Sequence, residues 1–486
     1  MRNRTRGVIG VAVGAAVTAA VAAGASAVTS NGDGDQNQPS PTAAAGKTTP
    51  SDIDGDGYAD LGIGAPDGTV SGKSKAGYVA VTYGAAKGVD TARHSTLTQA
   101  SPGVPGTPEA GDHFGSAVVV GDVDGDGYRD LIVAANNESI GTTKQAGSVT
   151  VVFGAKGGLS SDAIAFHAPT ATAYKHFGDK LAVGDYNHDG RDDIAISDGE
   201  TVRIVSGAAN LRDTATPKMT SVTPPGGGAG ITHLSSGDIN GDGFADLVTV
   251  AYQDDPADEG TLGVLPGSSS GLKKTPLGEK VSLWFASYRA VVGDINGDGK
   301  DDVVIDTGFA DGPDDARLRT YPGTASGLDT ANPVTWKGTA PSGEAARLTD
   351  INGDGHDDLV VSDTSAEAPG GYNNAGAITV FKGTKNWLTD EGAQTFSLDT
   401  EGVPGDMAGN DHFGEAIAPA DYNGDGKPDL AIGVPKRTEG AGAVALLYAG
   451  TDGLTAKGSA LIGPSDLGAP AARAAFGTEL SGPATK

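Results

Sequence analysis

The chain has no cysteine. That excludes disulfides, a lipid anchor carried on cysteine, and a thiol nucleophile. Basic residues are few: 34 Lys and Arg stand against 62 Asp and Glu, a formal net charge of −28 over 486 residues. Such a balance argues against nucleic acid and against an anionic membrane surface as partners. No nucleophile elbow is evident, and there is no H-E-x-x-H pair and no phosphate loop, so no catalytic motif is recognisable. Asp and Glu are too plentiful for any pair to be singled out as acid and base. No second hydrophobic span follows the N-terminal one, so no membrane span is expected to remain once a leader is cleaved.

What is present starts at the N-terminus. Arg2, Arg4 and Arg6 precede an apolar Val, Ala and Gly stretch from Val8 to Ala23, followed by Ala25-Ser26-Ala27. A basic start, an apolar middle and an A-x-A site predict a cleaved secretory signal over 1–27. The stretch approaches the length of a membrane anchor, but its Ala and Gly content and the A-x-A site favour cleavage. Residues 28–50 are polar and rich in Ala, Thr, Pro and Gly, and read as a disordered linker. The main domain is expected over 51–482, with a tail at 483–486. The expected location is extracellular, as a secreted monomer. A secreted chain without disulfides needs another source of rigidity.

That source is suggested by a nine-residue phrase, D-x-[D/N]-x-D-G-x-x-D, that occurs seven times. Position 1 is Asp52, Asp122, Asp185, Asp238, Asp294, Asp350 and Asp421. Position 3 is Asp54, Asp124, Asn187, Asn240, Asn296, Asn352 and Asn423. Position 5 is Asp56, Asp126, Asp189, Asp242, Asp298, Asp354 and Asp425. Position 6 is always Gly, as a turn with positive φ requires. Position 7 (Tyr58, Tyr128, Arg191, Phe244, Lys300, His356, Lys427) varies, as expected where only the backbone carbonyl binds. Position 9 closes with Asp60, Asp130, Asp193, Asp246, Asp302, Asp358 and Asp429. Hard oxygen donors on a flexible turn are what Ca²⁺ prefers, whereas Mg²⁺ holds its waters and zinc sites use His and Cys. Up to seven Ca²⁺ are expected. An EF-hand closes with Glu at position 12 between helices. Here Asp closes at position 9, and short β-branched runs such as Leu131-Ile-Val-Ala134 follow, so each loop leads into a strand. Positions 1, 3, 5 and 9 of the loops hold 23 of the 62 carboxylates, and seven Ca²⁺ would bring −28 to −14. The third loop departs from the others, with His188 where they have Gly.

The loops begin 70, 63, 53, 56, 56 and 71 residues apart, a period of the kind found in solenoids, propellers and arrays. Each unit adds a further apolar strand ending in Gly, such as Ala76–Gly84, Ala146–Gly154, Ala375–Gly383 and Ala441–Gly450. Phe114-Gly115, Phe177-Gly178 and Phe413-Gly414 stand ahead of three loops. The first loop has no Phe-Gly before it, and Phe476-Gly477 has no loop after it. A unit split in this way predicts an all-β, seven-bladed β-propeller closed by a C-terminal strand that completes the first blade.

Phe-Gly, the acidic loop and then Gly64-Ala65-Pro66 or Gly433-Val434-Pro435 resemble the FG-GAP (VCBS-like) repeat of the integrin α-chain N-terminal β-propeller, in a secreted bacterial form. The resemblance covers about Asp52 to Gly482. The units at Asp238, Asp294 and Asp350 keep the loop but lack Phe-Gly and Gly-Ala-Pro. It implies a scaffold that binds an extracellular glycan or protein on the face opposite the calcium loops, where the long links lie. Asn136, Asn137, Tyr372, Asn373 and Asn374 sit on those links. The alternative is a propeller-type polysaccharide lyase or hydrolase, which would show a polar central cleft with clustered Lys, Arg or His. His113, His176 and His412 each precede Phe-Gly, and repeat register explains them better than catalysis.

Overall fold

The computed structural model of the chain describes residues 49–214, 216–225, 230–252, 260–283, 289–306, 318–336, 345–367, 371 and 373–482. The expected leader at 1–27, the expected linker up to residue 48, the tail at 483–486, residues 253–259 and Tyr372 lie outside these. Thr49 and Pro50, at the end of the expected linker, fold onto the first acidic loop. Thr49 Oγ1 donates to the Gly57 carbonyl at 3.0 Å.

Seven antiparallel four-stranded sheets follow one another as blades. In blades 2 to 7 the inner strand precedes an acidic loop and the second strand follows it. In blade 2, for example, the strands are Phe114–Gly121, Asp130–Ala135, Ser148–Ala155 and Gly158–Phe166. The inner strands of blades 3 to 7 are Leu181–Gly184, Gly230–Gly237, Arg289–Gly293, Ala346–Thr349 and Ile417–Ala420. Blade 1 takes its inner strand, Glu479–Leu480, from the C-terminus, beside Leu61–Ala65, Tyr78–Tyr83 and Asp90–Leu97. The split unit therefore closes the ring as its sequence predicts.

The second strands are apolar throughout because both faces of every blade are covered by neighbours; Asp130–Ala135 and Asp246–Val250 are buried along their length. The core is accordingly divided into seven clusters, one between each pair of adjacent blades. The cluster between blades 7 and 1 unites Tyr422, Ala431 and Leu446 with Tyr78, Phe476 and Leu480. Outer strands face solvent on one side, and Asp90–Leu97 has no fully buried residue.

A second set of contacts joins the blades on the face opposite the acidic loops. The amides of Phe114, Phe177, Phe413 and Phe476 donate to the carbonyls of Ala76, Ala146, Ala375 and Ala441 in the preceding blade, at 2.8–3.2 Å. The glycine after each of those alanines has positive φ, and a Cβ on it would lie 2.2–2.3 Å from the carbonyl oxygen of the same phenylalanine. Phe-Gly in one blade and Ala-Gly in the blade before are thus two halves of one contact.

Candidate functional site

Each acidic loop is a turn held by its own carboxylates. In the first, Asp52 Oδ1 accepts from the amides of Gly55 and Asp56, and Asp52 Oδ2 from Gly57 at 2.8 Å. The position 5 carboxylate caps position 7: Asp56 Oδ1 accepts from the Tyr58 amide at 3.1 Å. Position 6 has φ between 83° and 94° in all seven loops, which explains its glycine. Position 4 is also left-handed, from 71° to 76° at the six glycines and 55° at His188. The sequence reading left that second requirement unstated.

The position 9 aspartate explains its own invariance. Its side chain is 0–1% exposed in every loop. One oxygen accepts a 2.9 Å bond from the amide ending the third strand of its blade, at Gly84, Gly154, Gly207, Gly267, Gly323, Gly383 or Ala449. Burial pushes Asp60 and Asp130 up to about 8, and Asp193, Asp246, Asp302, Asp358 and Asp429 up to about 7. A buried carboxylate is poorly stabilised as an anion unless a cation accompanies it. Asp302→Ala removes the acceptor of both the Ile295 and Gly323 amides. It is expected to destabilise the chain by about 3 kcal/mol, since two buried donors lose their partner; urea unfolding measures this.

The structure draws the oxygens of positions 1, 3 and 9 together in two loops: Asp52, Asp54 and Asp60, and Asp122, Asp124 and Asp130, lie with ligand atoms within 4.8 Å of one another. Position 5 lies outside both groups. These are the two loops with Asp at position 3, and each extra carboxylate has an arginine. Arg93 bonds Asp54 and Asp56, and Arg212 bonds Asp124 and Asp126. Tyr83 and Phe153 lie against the two guanidinium groups, 5.2 and 4.8 Å from ring centroid to Cζ. In four of the five loops with Asn, the amide turns to the position 9 carboxylate instead, as Asn423 does to Asp429 at 3.1 Å. Each loop therefore carries a formal net charge near −3 before any metal. In the third loop two buried oxygens, Asn187 Oδ1 and Asp193 Oδ2, have no hydrogen-bond partner among the described residues. They occupy positions 3 and 9, so the donors present fit a hard cation such as Ca²⁺ there.

The side chain at position 7 has a role the sequence reading did not give it. It lies over position 4 of the preceding blade's loop. A Cβ on Gly55, Gly125, Gly241, Gly297 or Gly424 would come within 2.5–3.0 Å of Tyr128, Arg191, Lys300, His356 or Tyr58. His188 instead meets Phe244 edge-on at 5.6 Å. Backbone bonds run the same way, from the position 8 amide to the preceding position 1 carbonyl. They link Arg129 to Asp52, Asp192 to Asp122, Ala245 to Asp185, Asp301 to Asp238, Asp357 to Asp294 and Ala59 to Asp421, at 2.9–3.3 Å. The seventh such link would start from Pro428, which has no N–H. Lys427 Nζ donates there to the Asn352 carbonyl at 3.0 Å. The seven loops form one continuous belt.

On the opposite face, His113, His176 and His412 share a left-handed backbone, with φ of 58°, 51° and 57°, which Ala475 repeats at 52°. This agrees with repeat register. Asn136 donates to Asp179 at 2.8 Å, and Asn374 to Asn410 Oδ1 at 3.2 Å, so these two link residues help tie adjacent blades together. Among the described residues no helix is long and apolar enough to cross a membrane.

Comparison with known proteins follows this geometry. The FG-GAP repeat matches residues 46–82, 114–152 and 413–447, and the FG-GAP-like repeat matches 185–249. Integrin alpha-PS5 of Drosophila melanogaster is 30% identical over 150 residues, covering 29% of this chain and 15% of its own length. Phosphatidylinositol-glycan-specific phospholipase D of Bos taurus is 34% identical over 150 residues, 30% of this chain and 18% of its own. The chain thus spans less than a fifth of the length of these relatives. Among solved structures, an exotype rhamnogalacturonan lyase aligns with a TM-score of 0.37 at 13% identity, over 81% of this chain and 60% of that chain. The chain thus carries FG-GAP repeats, matched over part of its length, on a closed seven-bladed β-propeller, and over those parts it is similar to integrin α chains.

Proposed function

We propose that the chain is a secreted, calcium-stiffened propeller that binds an extracellular glycan or protein on the face opposite the acidic loops. The observation that carries this reading is the division of labour between the two faces. The belt of loops commits its carboxylates to backbone amides and arginines, and so serves rigidity. Long links and the mouth of the axial channel occupy the other face, where a rigid scaffold presents binding groups. Bound calcium would hold together positions 1, 3, 5, 7 and 9 of each loop, and its charge would keep the buried carboxylates ionised.

A second reading, a polysaccharide lyase or hydrolase, is favoured by one specific feature. Lys180, His233, Arg289 and Arg347 line the axial channel, and clustered basic groups in a central cleft are what such an enzyme requires. One experiment separates the two. The calcium-loaded chain is screened against extracellular polysaccharides and matrix proteins by co-sedimentation, with supernatants assayed for released oligosaccharide. Calcium-dependent sedimentation without release is the expected result. Oligosaccharide release selects the enzyme, and no retention on any material removes the binding reading.

A further inference from the structure

The ring encloses an axial cavity of about 580 Å³, lined by the inner strands of blades 1 to 6. In a chain of net charge −28, three cations gather here: Lys180, Arg289 and Arg347. The charges of all three act on Glu479 of the closing strand and on His233. Lys180, His233 and Arg289 stand five residues ahead of their acidic loops, and Arg347 three ahead of its own. Glu479 has the same place relative to Phe476 that Ala117 has relative to Phe114. Blades 2 and 7 carry alanine there, Ala117 and Ala416, so the fold does not demand charge at this position. Inner strands run toward the acidic loops, which places five residues ahead toward the opposite mouth.

The groups are only partly matched to one another. Lys180 pairs with Asp179 at 3.1 Å. Arg347 Nη1 donates to the Ala346 carbonyl at 2.7 Å, and among the described residues this is its one hydrogen bond, although a guanidinium has five N–H donors. Its Nε lies 3.9 Å from where a Cβ on Gly482 would stand, so it faces the closing strand. His233 Nε2 shares a 3.1 Å contact with Ser235 Oγ. Burial, with Arg289, Arg347 and Lys180 adding to it, lowers His233 to about 3, so the ring is neutral. Burial raises Glu479 to about 7 against the pull of the same three cations. Counted among these groups alone, three cations against Asp179 and an ionised Glu479 leave +1; a protonated Glu479 leaves +2.

We propose that this mouth of the axial channel binds a small hydroxylated monocarboxylate of the sugar-acid class, its carboxylate held by Arg347 and Arg289. A planar guanidinium fork matches a carboxylate through two parallel bonds. Among the described residues the inner strands of blades 3 and 4, Leu181–Gly184 and Gly230–Gly237, form ladders only with the second strand of their own blade. Their other edges present N–H and C=O groups to the cavity, suited to hydroxyls. The volume lies in the usual small-ligand range of about 300–1,000 Å³. A phosphate dianion exceeds the +1 of the ionised cluster and meets Glu479, so a single carboxylate is the better match.

The inference rests on the reading that this face takes the ligand. It is tested by calorimetric titration of the calcium-loaded full chain with D-glucuronate, with D-glucose as its neutral twin and inorganic phosphate as the anion control. Glucuronate is expected to bind at least about tenfold more tightly than glucose at pH 6, and more tightly than phosphate at pH 8, where phosphate is the dianion and Glu479 is ionised. Arg347→Gln should weaken it by about tenfold or more, the scale of one charge-assisted bond. From pH 6 to 8 binding should weaken as Glu479 ionises among Lys180, Arg289, Arg347, Asp179 and neutral His233. Glu479→Gln should abolish that dependence, which keeps the test decisive if Arg347→Gln does not fold. Equal binding of glucose, tighter binding of phosphate at pH 8, or no pH dependence overturns the proposal. If glucuronate fails while the chain still sediments with an extracellular material, the channel site is discarded and the binding reading stands.

Discussion

Chelation of calcium is expected to lower the melting temperature of the chain by about 10 °C or more, and restoring calcium to reverse the loss. Seven aspartates are buried at 0–1% exposure, and burial, with neighbouring carboxylates adding to it, pushes them up to about 7 or 8. A cation that binds only the folded chain stabilises it by about 2.7 kcal/mol per site at a hundredfold excess over its Kd. Each kcal/mol moves the melt by roughly 2–4 °C in a chain of 150–250 residues, and by less in a longer one. Several occupied sites are therefore enough. The opposing effect is that the turns are already tied by their own bonds, such as the three amides that Asp52 accepts. If those bonds sufficed, the melt would not move after removal verified by metal analysis, and calcium would have no part in stability. The unpartnered Asn187 and Asp193 oxygens argue for the larger effect.

Much of this fold is legible in the sequence because its strongest signals are local. A turn needs its glycine and its carboxylates within nine residues, and seven copies need only be counted. The split of Phe476-Gly477 from the first loop also reads directly as closure. What was not legible lies between blades. Glycine at position 4 answers to position 7 of the next loop, 73 residues away in the case of Gly55 and Tyr128. Read within one loop, the variation at position 7 looks free. Read around the belt, Tyr58, Lys300 and His356 are different ways of covering a neighbour's turn. The absence of Phe-Gly from blades 4, 5 and 6 has the same origin. Blades 3, 4 and 5 have no Ala-Gly to receive it, yet their neighbours' inner strands form, because apolar residues such as Leu234, Val292 and Leu348 still fill the cores between blades. The channel cluster was the least visible. Lys180, His233, Arg289, Arg347 and Glu479 come from five blades, and only the radial arrangement brings inner strands to one axis.

A chain ending at Ala475 is expected to lose its cooperative melt and to associate, measured by calorimetry and by light scattering after size exclusion. The residues removed include few contacts but the whole closing strand. Ile63 and Gly64 pair with Leu480 and Glu479. The Gly477 amide donates to Gly64 at 3.0 Å and the Ser481 amide to Gly62 at 2.9 Å, while Ser481 Oγ accepts from the Gly62 amide at 2.8 Å. Without them Leu61–Ala65 becomes an apolar strand with one edge bare, a template for pairing with another chain. Phe476 and Leu480, 0% and 3% exposed, also leave the core between blades 7 and 1. Phe476→Ala in the full chain isolates that part and should cost about 3–5 kcal/mol, without association, because the strand pairing remains. The difference between the two variants separates the worth of the pairing from that of the packing. A synthetic peptide spanning 476–482, added to the truncated chain, should restore a monomer by supplying the missing strand. A truncated chain that stays monomeric with an unchanged melt would mean that six complete blades and the calcium belt hold the ring without a closing strand. The placement of Glu479 among the channel cations makes that outcome testable twice, since the same truncation removes the one acid of the closing strand from the proposed site and should erase the pH dependence of glucuronate binding in any chain that still folds.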